Sequence, residues 1–296
     1  MSTIEKAAAR LVKKPKSPDG QAINLDAQTN KSSSTGSSTN RVEPLQYEQT
    51  CELDFVLLRD NGFLVPGHDN AKQSQEFRRI KRPLLLNLQP NLEKRYERPP
   101  NVIYVTSALP GEGKTFVSLN LALSLAGELD KSVLLIDGDA AKGDLSRWLG
   151  INEEKGIVDH LVDNESHLEN SIIASNVERL AVMSSGKKAD NLDELYSSEL
   201  MARIVDQLAS RDPNRIVLVD GPPLLATTEA AVLAHLMGQT VVVVEANKTP
   251  QSAVEQAISH LDGSQLVSML LNKAETSSSG SYGYGYGYGY GDVQEN

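Results

Sequence analysis

The chain contains a series of short apolar runs, and these runs constrain its fold more than any other feature. Five runs rich in β-branched residues are "NVIYVT" (101–106), "SVLLID" (132–137), "RIVLVD" (215–220), "TVVVVEA" (240–246) and "LVSMLLN" (266–272), and "RLAVMSS" (179–185) is a weaker sixth. Helical patterns such as "TFVSLNLALSLAGEL" and "LDELYSSELMARIVDQLASR" separate them. Apolar strands that alternate with helices are typical of parallel sheets covered on both faces. The sequence therefore predicts a doubly wound α/β fold with a mostly parallel sheet.

The first of these runs leads directly into "SALPGEGKT" (107–115), which has the composition of a phosphate-binding loop. Gly111 and Gly113 allow backbone amides to turn inward around phosphate oxygens, and the N-terminus of the following helix adds its dipole. Lys114 would reach the β- and γ-phosphates of ATP, and the Thr115 hydroxyl would coordinate Mg²⁺. The usual first glycine is replaced by Ala108. The nucleotide-binding residues predicted from this segment are Pro110, Gly111, Glu112, Gly113, Lys114, Thr115 and Phe116.

Two later strands end in aspartates that would face the same edge of the sheet. Asp137 and Asp139 lie in "VLLIDGDAAKGD", and Asp220 lies in "IVLVDGPP". Ligands of open parallel sheets bind at the carboxyl ends of the strands. Carboxylates beside phosphate can hold Mg²⁺ and accept a proton from an attacking hydroxyl. We predict Lys114 and these three aspartates as catalytic residues, with Thr115, Asp137 and Asp220 at the metal; the sequence does not divide the metal and base roles between Asp137 and Asp139.

The end of the chain has an unusual composition. In "SYGYGYGYGYGD", residues 281–292, tyrosine occupies every second position and glycine lies between. The predicted phosphoacceptors are Tyr282, Tyr284, Tyr286, Tyr288 and Tyr290. Glycine at alternate positions removes steric limits, so that any of these phenols could enter an active site.

Composition narrows the possible functions. A net charge of −10 argues against general nucleic-acid binding, and a single cysteine, Cys51, excludes an internal disulfide or a Cys-rich metal site. The histidines show no paired metal-ligand spacing. No apolar run approaches the ~20 residues of a membrane span, and the N-terminus lacks the apolar stretch of a signal peptide.

The chain divides into three predicted parts. Residues 1–45 comprise a short basic amphipathic helix, in "STIEKAAARLVKK", and a polar linker. The helix is compatible with contact to anionic lipid or a partner helix, and equally with a surface role. Residues 46–273 form the folded domain, which begins with a small ordered segment near "CELDFVLLRDNGFLVP", and residues 274–296 form a disordered tyrosine-rich tail.

The order of these motifs, from phosphate loop through Asp-x-Asp and Asp-x-Pro-Pro to a tyrosine-rich tail, resembles the bacterial tyrosine kinases. The resemblance covers residues 70–291, and the whole chain is most similar to the exosortase-associated branch of these capsule and exopolysaccharide kinases. "EFRRIKRPLLLN" matches the family's oligomerisation motif at Glu76, Arg79 and Arg82. Asn272 matches a late strand-end asparagine near the adenine.

This resemblance implies an ATP- and Mg²⁺-dependent autokinase with a P-loop NTPase fold. It also implies ring-shaped homo-oligomers in which one subunit phosphorylates the tail of its neighbour. A membrane-embedded chain-length or adaptor protein would stimulate the activity, so we expect a cytoplasmic protein at the inner face of the plasma membrane. The chain departs from the family pattern after Asp139, where Ala140, Ala141 and Lys142 follow.

Two other classes of protein share part of the pattern. Related ATPases that position or partition cellular components carry an early signature lysine in the phosphate loop, and Leu109 occupies its place here. Such an ATPase switch, without kinase activity, remains the alternative. A structural protein with an adhesive Tyr-Gly tail would not require the three strand-end motifs. Glu76 and Arg79, three residues apart, are also compatible with a solvated pair on a helix.

Overall fold

The computed structural model describes residues 47–275, apart from residues 69, 90–96, 166–167 and 262–265. The predicted N-terminal helix and linker lie outside the described residues, as does the tyrosine-rich tail apart from Ala274 and Glu275. Within the described part, no helix is both long and apolar enough to cross a membrane.

A single sheet organises the described part of the chain. Its strands are β1 (Gln49–Cys51), β2 (Val102–Ser107), β3 (Ser132–Asp137), β4 (Ile173–Ser175), β5 (Leu180–Met183), β6 (Arg215–Asp220), β7 (Gln239–Glu245) and β8 (Leu266–Asn272). Their order across the sheet is β1-β4-β5-β3-β6-β2-β7-β8. All neighbours are parallel except β4 and β5. The predicted mostly parallel sheet is therefore confirmed, with some strand ends shifted by one or more residues.

Two short strands at one edge were not predicted by their own pattern. β1 and β4 each have three residues, and β4 lies in a segment without alternation or a β-branched run. Their pairing, with Thr50 opposite Ala174, extends the sheet beyond β5. Runs of three residues are too short for periodicity to reveal them.

Helices lie between most of the strands. They are α1 (Phe55–Asp60), α2 (Ala71–Leu86), α3 (Lys114–Ala126), α4 (Asp144–Trp148), α5 (Ile157–Val162), α6 (Leu192–Tyr196), α7 (Glu199–Ser210), α8 (Glu229–Leu236) and α9 (Gln251–Ser259), with a 3₁₀ turn at Glu169–Ser171. The long helical pattern near residue 200 is two helices. The Ser198 side chain accepts a hydrogen bond from the Met201 amide at 3.2 Å, which caps α7 and ends the preceding turn.

The sheet is buried on both faces, because the three central strands β2, β3 and β6 carry buried residues at every position. Consecutive residues contact opposite sides. Leu135 packs in a core with α2 and α3, whereas Leu134 packs in a core with α7 and α8. Complete burial of such a side chain stabilises the fold by about 1.5–3 kcal/mol. Helices on both faces, as predicted, thus follow from strands that are apolar throughout.

The register of the central strands brings the predicted site together. β3 and β6 pair with Asp137 directly opposite Asp220, and Val105 of β2 is also paired with Asp220. The carboxyl ends of β2, β3 and β6 therefore meet at one point of the sheet edge, where the loop after β2 begins.

Candidate active site

The loop between β2 and α3 has the conformation required to surround a phosphate. Gly111 and Gly113 adopt φ values of +85° and +96°, in the left-handed region that favours glycine. Lys114 is the first residue of α3, so the loop ends at a helix N-terminus. Backbone amides and a helix dipole at one place are a binding site for anions.

Glu112 holds this loop to the neighbouring strand. Its side chain is buried, and the carboxylate accepts hydrogen bonds from the Leu109 amide at 2.6 Å and the Glu245 amide at 3.2 Å. The Thr249 hydroxyl also donates to it. Hydrogen bonds to a charged group are stronger than neutral ones. Glu112 thus positions the loop against the end of β7 and the turn that follows.

The end of β8, the neighbour of β7 in the sheet, also contacts the loop. The Asn272 amide donates to the Glu112 carbonyl at 2.9 Å, and the Lys273 ammonium donates to the Gly111 carbonyl at 2.7 Å. The same ammonium lies 3.1 Å from the Glu245 carboxylate. Asn272 therefore lies at the phosphate loop, and the segment that leads into the tail starts there.

Lys114 and Asp139 form a buried ion pair. The Nζ atom of Lys114 lies 2.7 Å from Oδ2 of Asp139, and their side chains are 7% and 3% exposed. Burial alone would lower the pKa of Lys114, but the Asp220 and Asp139 carboxylates outweigh it and raise that pKa above its ordinary value. Lys114 is therefore held as a cation at the loop, in the charge state that phosphate oxygens would bind.

Asp220 is held by two hydroxyl groups of α3. Thr115 donates to Oδ2 at 2.7 Å and Ser118 donates to Oδ1 at 2.9 Å. Burial raises the pKa of this carboxyl group, although the nearby Lys114 cation opposes the shift. Ser118 was not predicted, yet its position four residues after Lys114, on the same face of the helix, could have indicated it.

Asp137 is separately positioned by α4. Its Oδ2 atom accepts from the amide and the hydroxyl of Ser146, at 2.8 and 2.7 Å. Burial, followed by repulsion from Asp220, raises the pKa of Asp137 to about 7. A general base is most efficient when its pKa is close to the working pH, so a carboxyl group with this pKa is suited to accept a proton near neutral pH. Ser146 lies nine residues after Asp137, and no sequence pattern indicates this contact.

The structure brings Lys114, Thr115, Asp137, Asp139 and Asp220 together at one edge. In the described part of the chain, no group of three or more His, Cys, Asp or Glu side chains is arranged to hold a metal ion. Hydroxyl and carboxylate oxygens from Thr115 and Asp220 fit the oxygen preference of Mg²⁺, which usually keeps water and substrate phosphate among its ligands. The fold of the loop and this donor set thus fit Mg²⁺-ATP.

Other predicted residues lie at the margin of the site or away from it. The Phe116 ring packs against Phe63, with 5.1 Å between ring centroids, so only its backbone amide could contact a phosphate. Pro110 is exposed at the tip of the loop, and Lys142 is exposed beyond Asp139.

Glu76, Arg79 and Arg82 lie on one exposed face of α2. This face is opposite the buried Phe77 and Leu84 of the same helix. Among the described residues, Glu76 forms no ion pair with either arginine, so the solvated pair that the spacing also allowed is not present.

Comparison with known proteins first identifies the class. Residues 101–268 match the family model described as an AAA domain, so the chain belongs to that class of nucleotide-binding proteins. The kinase domain of Escherichia coli tyrosine kinase ETK shares its fold, with a TM-score of 0.63 at 24% identity, over 82% of this chain and 94% of that one.

Sequence relatives then identify the family. The chain is 30% identical to tyrosine-protein kinase CpsD of Streptococcus agalactiae over 60% of its own length and 75% of the relative's. It is 33% identical to tyrosine-protein kinase ptk of Acinetobacter johnsonii over 61% of its own length. The VpsO kinase domain is 29% identical with a TM-score of 0.57, over 70% of this chain and 98% of that one. The chain therefore belongs to the bacterial tyrosine-protein kinases.

The relatives differ in how much of their length the chain spans. It covers 24% of the Acinetobacter kinase, and it covers between a fifth and a quarter of the other long relatives, such as the 25% of tyrosine-protein kinase wzc of Salmonella typhimurium.

Proposed function

We propose that this chain is an ATP- and Mg²⁺-dependent protein-tyrosine kinase that phosphorylates its own C-terminal tyrosines. The observation that carries the proposal is the buried Lys114–Asp139 pair beside Asp137 and Asp220 at the phosphate loop. Family membership and the tyrosine-rich tail support it. The tail follows β8, which ends at this same sheet edge, because Asn272 contacts the phosphate loop.

Each side chain has a proposed role. The loop amides and Lys114 would bind and orient the transferred phosphoryl group, and Asp139 keeps Lys114 directed to it. Thr115 and Asp220 would hold Mg²⁺, with Asp137 nearby. The metal, when bound, neutralises charge on the phosphates. In the protein without Mg²⁺, burial raises the pKa of Asp137 to about 7, and we propose that its carboxylate accepts the phenol proton as the tyrosine oxygen attacks.

We propose that transfer occurs between subunits. From Lys273 to the end the chain has 24 residues, which could extend at most roughly 80 Å. That length is sufficient to reach a neighbouring subunit. The exposed face of α2 that carries Glu76, Arg79 and Arg82 is the proposed contact between subunits in a ring.

We also propose the setting in which the kinase acts. The resemblance to exopolysaccharide kinases implies regulation of polymer synthesis and export, with stimulation by a membrane-embedded chain-length or adaptor protein. The proposed location is the cytoplasm at the inner face of the plasma membrane.

Mass spectrometry after incubation with Mg²⁺-ATP tests the activity. We expect phosphate on the five tail tyrosines of the full chain and none in Lys114→Met. Lys131→Met, at the opposite edge of the sheet beside Asp130, is the matched control and should remain active. Phosphate on Lys114→Met protein mixed with an active chain that ends at Ser281 would establish transfer between chains.

The same experiment distinguishes the alternative function. Hydrolysis of ATP without phosphotyrosine, even when the cytoplasmic segment of a membrane partner is added, would overturn the kinase proposal. That result would favour an ATPase switch of the positioning or partitioning kind.

A further inference from the structure

Arg215 and Tyr47 form an unusual contact at the sheet edge opposite the phosphate loop. Arg215 begins β6, and only 4% of its surface is exposed. Its NH2 group donates to the Tyr47 hydroxyl oxygen at 2.9 Å. Its Nε and NH1 atoms are buried and have no hydrogen-bond partner among the described residues.

Unpaired buried donors on a cation are costly, so this arrangement indicates a ligand. A guanidinium group can donate two parallel hydrogen bonds from either of two pairs of nitrogen atoms, Nε with NH2 or NH1 with NH2. The NH2 group belongs to both pairs. The phenol oxygen occupies only this shared position. A phosphate offers three acceptor oxygens and binds such forks with two parallel hydrogen bonds.

Tyr47 differs from the other two tyrosines that the structure describes. Tyr104 and Tyr196 are fully buried, and their hydroxyl groups donate to backbone carbonyls of Pro222 and Gly138. Tyr47 is only half-buried and accepts a hydrogen bond from a cation. It is therefore the one described tyrosine with both access to solvent and a positive partner.

We propose that Tyr47 is a further phosphorylation site and that its phosphate is held by Arg215, with Arg211 nearby. The inference rests on the proposed kinase function. The Tyr47 oxygen attacks the γ-phosphorus of ATP, the bond from that phosphorus to ADP breaks, and the phenol proton passes to a carboxylate of the active site. Arg215 and Asp220 lie at opposite ends of β6, about 17 Å apart at ~3.3 Å per residue. The reacting site is therefore that of another copy of the chain.

The surrounding charges are mixed but favour an anion at this position. Arg211 donates to the Glu169 carboxylate, and Asp212 accepts from the Ser132 hydroxyl at 3.2 Å and the Asn214 amide at 2.8 Å. Both acids thus already have partners, whereas two donors of Arg215 do not. A phosphate adds about −1.5 to −2 charges at pH 7.

Phosphorylation of Tyr47 would stabilise the packing of the first described strand, β1, against the rest of the sheet. Tyr47 precedes β1, which pairs with β4 alone among the described strands, whereas Arg215 belongs to a central strand. A phosphate on Tyr47 would tie the outermost strand, and the N-terminal residues before it, to β6. The modified state would consequently resist both unfolding of this edge and removal of the phosphate.

Phosphopeptide mapping of the full chain with Mg²⁺-ATP is the first test. We expect phosphate on Tyr47 as well as on the tail, and on neither in Lys114→Met. Phosphate on the tail without any on Tyr47 would overturn the inference while the kinase function stands. Phosphate at no position would instead count against the proposed function.

Semisynthesis tests the phosphate site without relying on the kinase. Cys51 is the only cysteine, so a peptide of residues 1–50 with phosphotyrosine at position 47 can be ligated to residues 51–296 and refolded. A tyrosine phosphatase should then remove this phosphate about tenfold or more slowly than from the free peptide, as expected for charge-assisted hydrogen bonds.

Two variants show whether Arg215 holds the phosphate. Arg215→Lys keeps a positive charge but cannot form two parallel hydrogen bonds, so it should abolish most of the protection. Arg203→Lys, at an exposed position on α7, is the matched control. Should Arg215→Lys fail to refold, hydrogen exchange at Thr50 in the ligated chain with and without phosphate replaces it. Unchanged exchange, or equal phosphatase rates in peptide and protein, would overturn the inference.

Discussion

The Nζ atom of Lys114 lies 2.7 Å from Oδ2 of Asp139, and both side chains are almost completely buried. The lysine that would bind the nucleotide is thus paired with a carboxylate from the loop after β3, which is separated from β2 in the sheet by β6. Binding of ATP must therefore provide phosphate oxygens that share or replace this partner.

We expect Asp139→Asn to be less stable than the wild type without nucleotide and to gain more stability from ATP. Loss of one partner from a buried pair costs at most about 3–5 kcal/mol, and the Asp220 carboxylate still offsets part of the charge. ATP phosphates would restore a partner to Lys114. Thermal unfolding with and without ATP measures both effects. An equal ATP-induced shift in the two proteins would contradict this role, and Asp193→Asn on α6 is the control.

Asp137 should make the stability of the Mg²⁺-free protein depend on pH. Its pKa rises from 3.8 to about 7 on folding. The protonated form is thus favoured in the fold, and its stabilising effect is complete below about pH 4 and lost as the pH rises through about 7. Asp137→Asn should become more stable than the wild type across this range, by a difference that grows by on the order of 2–4 kcal/mol.

Chemical denaturation in EDTA at several pH values between 5 and 8 measures this difference. Asp130→Asn, an exposed site beside Lys131, corrects for general effects of charge. A constant difference between Asp137→Asn and the wild type would show that Asp137 is ionised throughout.

Glu112→Gln should loosen the phosphate loop while leaving the fold intact. The buried carboxylate accepts from the Leu109 and Glu245 amides and from Thr249. An amide of the same size replaces one acceptor with a donor. Hydrogen bonds to charged groups contribute about 1.5–3 kcal/mol, so we expect ATP to bind roughly tenfold or more weakly. Titration of a fluorescent ATP analogue measures this affinity, with exposed Glu255→Gln on α9 as the control. An unchanged affinity would rule out the positioning role.

Gly113 and Gly111 should differ in their tolerance of alanine. Both have a left-handed backbone, which costs an alanine about 1–2 kcal/mol. A Cβ atom at Gly113 would lie 2.2 Å from Nδ2 of Asn272, whereas one at Gly111 would have nothing within 4 Å. Gly113→Ala should therefore be the more destabilised of the two.

Thermal unfolding of the two alanine variants tests this difference. Addition of Asn272→Ala should recover part of the stability lost in Gly113→Ala and none of that lost in Gly111→Ala. Equal losses in the two single variants would mean that Asn272 moves aside without cost.

Glu76→Arg should weaken association of the chain with itself. The face of α2 with Glu76, Arg79 and Arg82 is exposed, and reversal of one charge in a complementary contact favours dissociation. Sedimentation velocity should show a shift towards monomer, together with slower phosphorylation of the tail. Gln75→Arg, exposed on the same helix, introduces the same side chain but changes the charge by +1 instead of +2, and it should retain assembly. A Glu76→Arg protein that assembles like the wild type would place the interface elsewhere.

Much of the fold could be predicted because its signals are local. The strands β3, β6 and β8 have the predicted bounds, since apolar β-branched runs reveal buried strands within a few residues. The phosphate loop could be predicted for the same reason. Glycines, lysine and threonine lie within nine consecutive residues, directly between a strand and a helix.

The positions of the strand-end aspartates could be predicted from the sequence, but their separate roles could not. Their positions in the sequence indicate one edge of the sheet, but the sequence does not separate their roles. The structure distinguishes them, because Asp139 pairs with Lys114 whereas Asp137 accepts from Ser146. Burial then raises the pKa of Asp137, and burial is a property of the packed molecule.

The sequence by itself determined the α/β architecture, the loop and the residue types at the strand ends. Only the tertiary structure decided which of these residues are partners. Glu112 accepts from Thr249, 137 residues away, and Arg215 donates to Tyr47, 168 residues away. Sequence periodicity does not predict contacts between residues so far apart in the chain, because these contacts depend on the order of the strands in the sheet. Local interactions thus specify the helices and strands, and their packing specifies which side chains meet at the candidate active site.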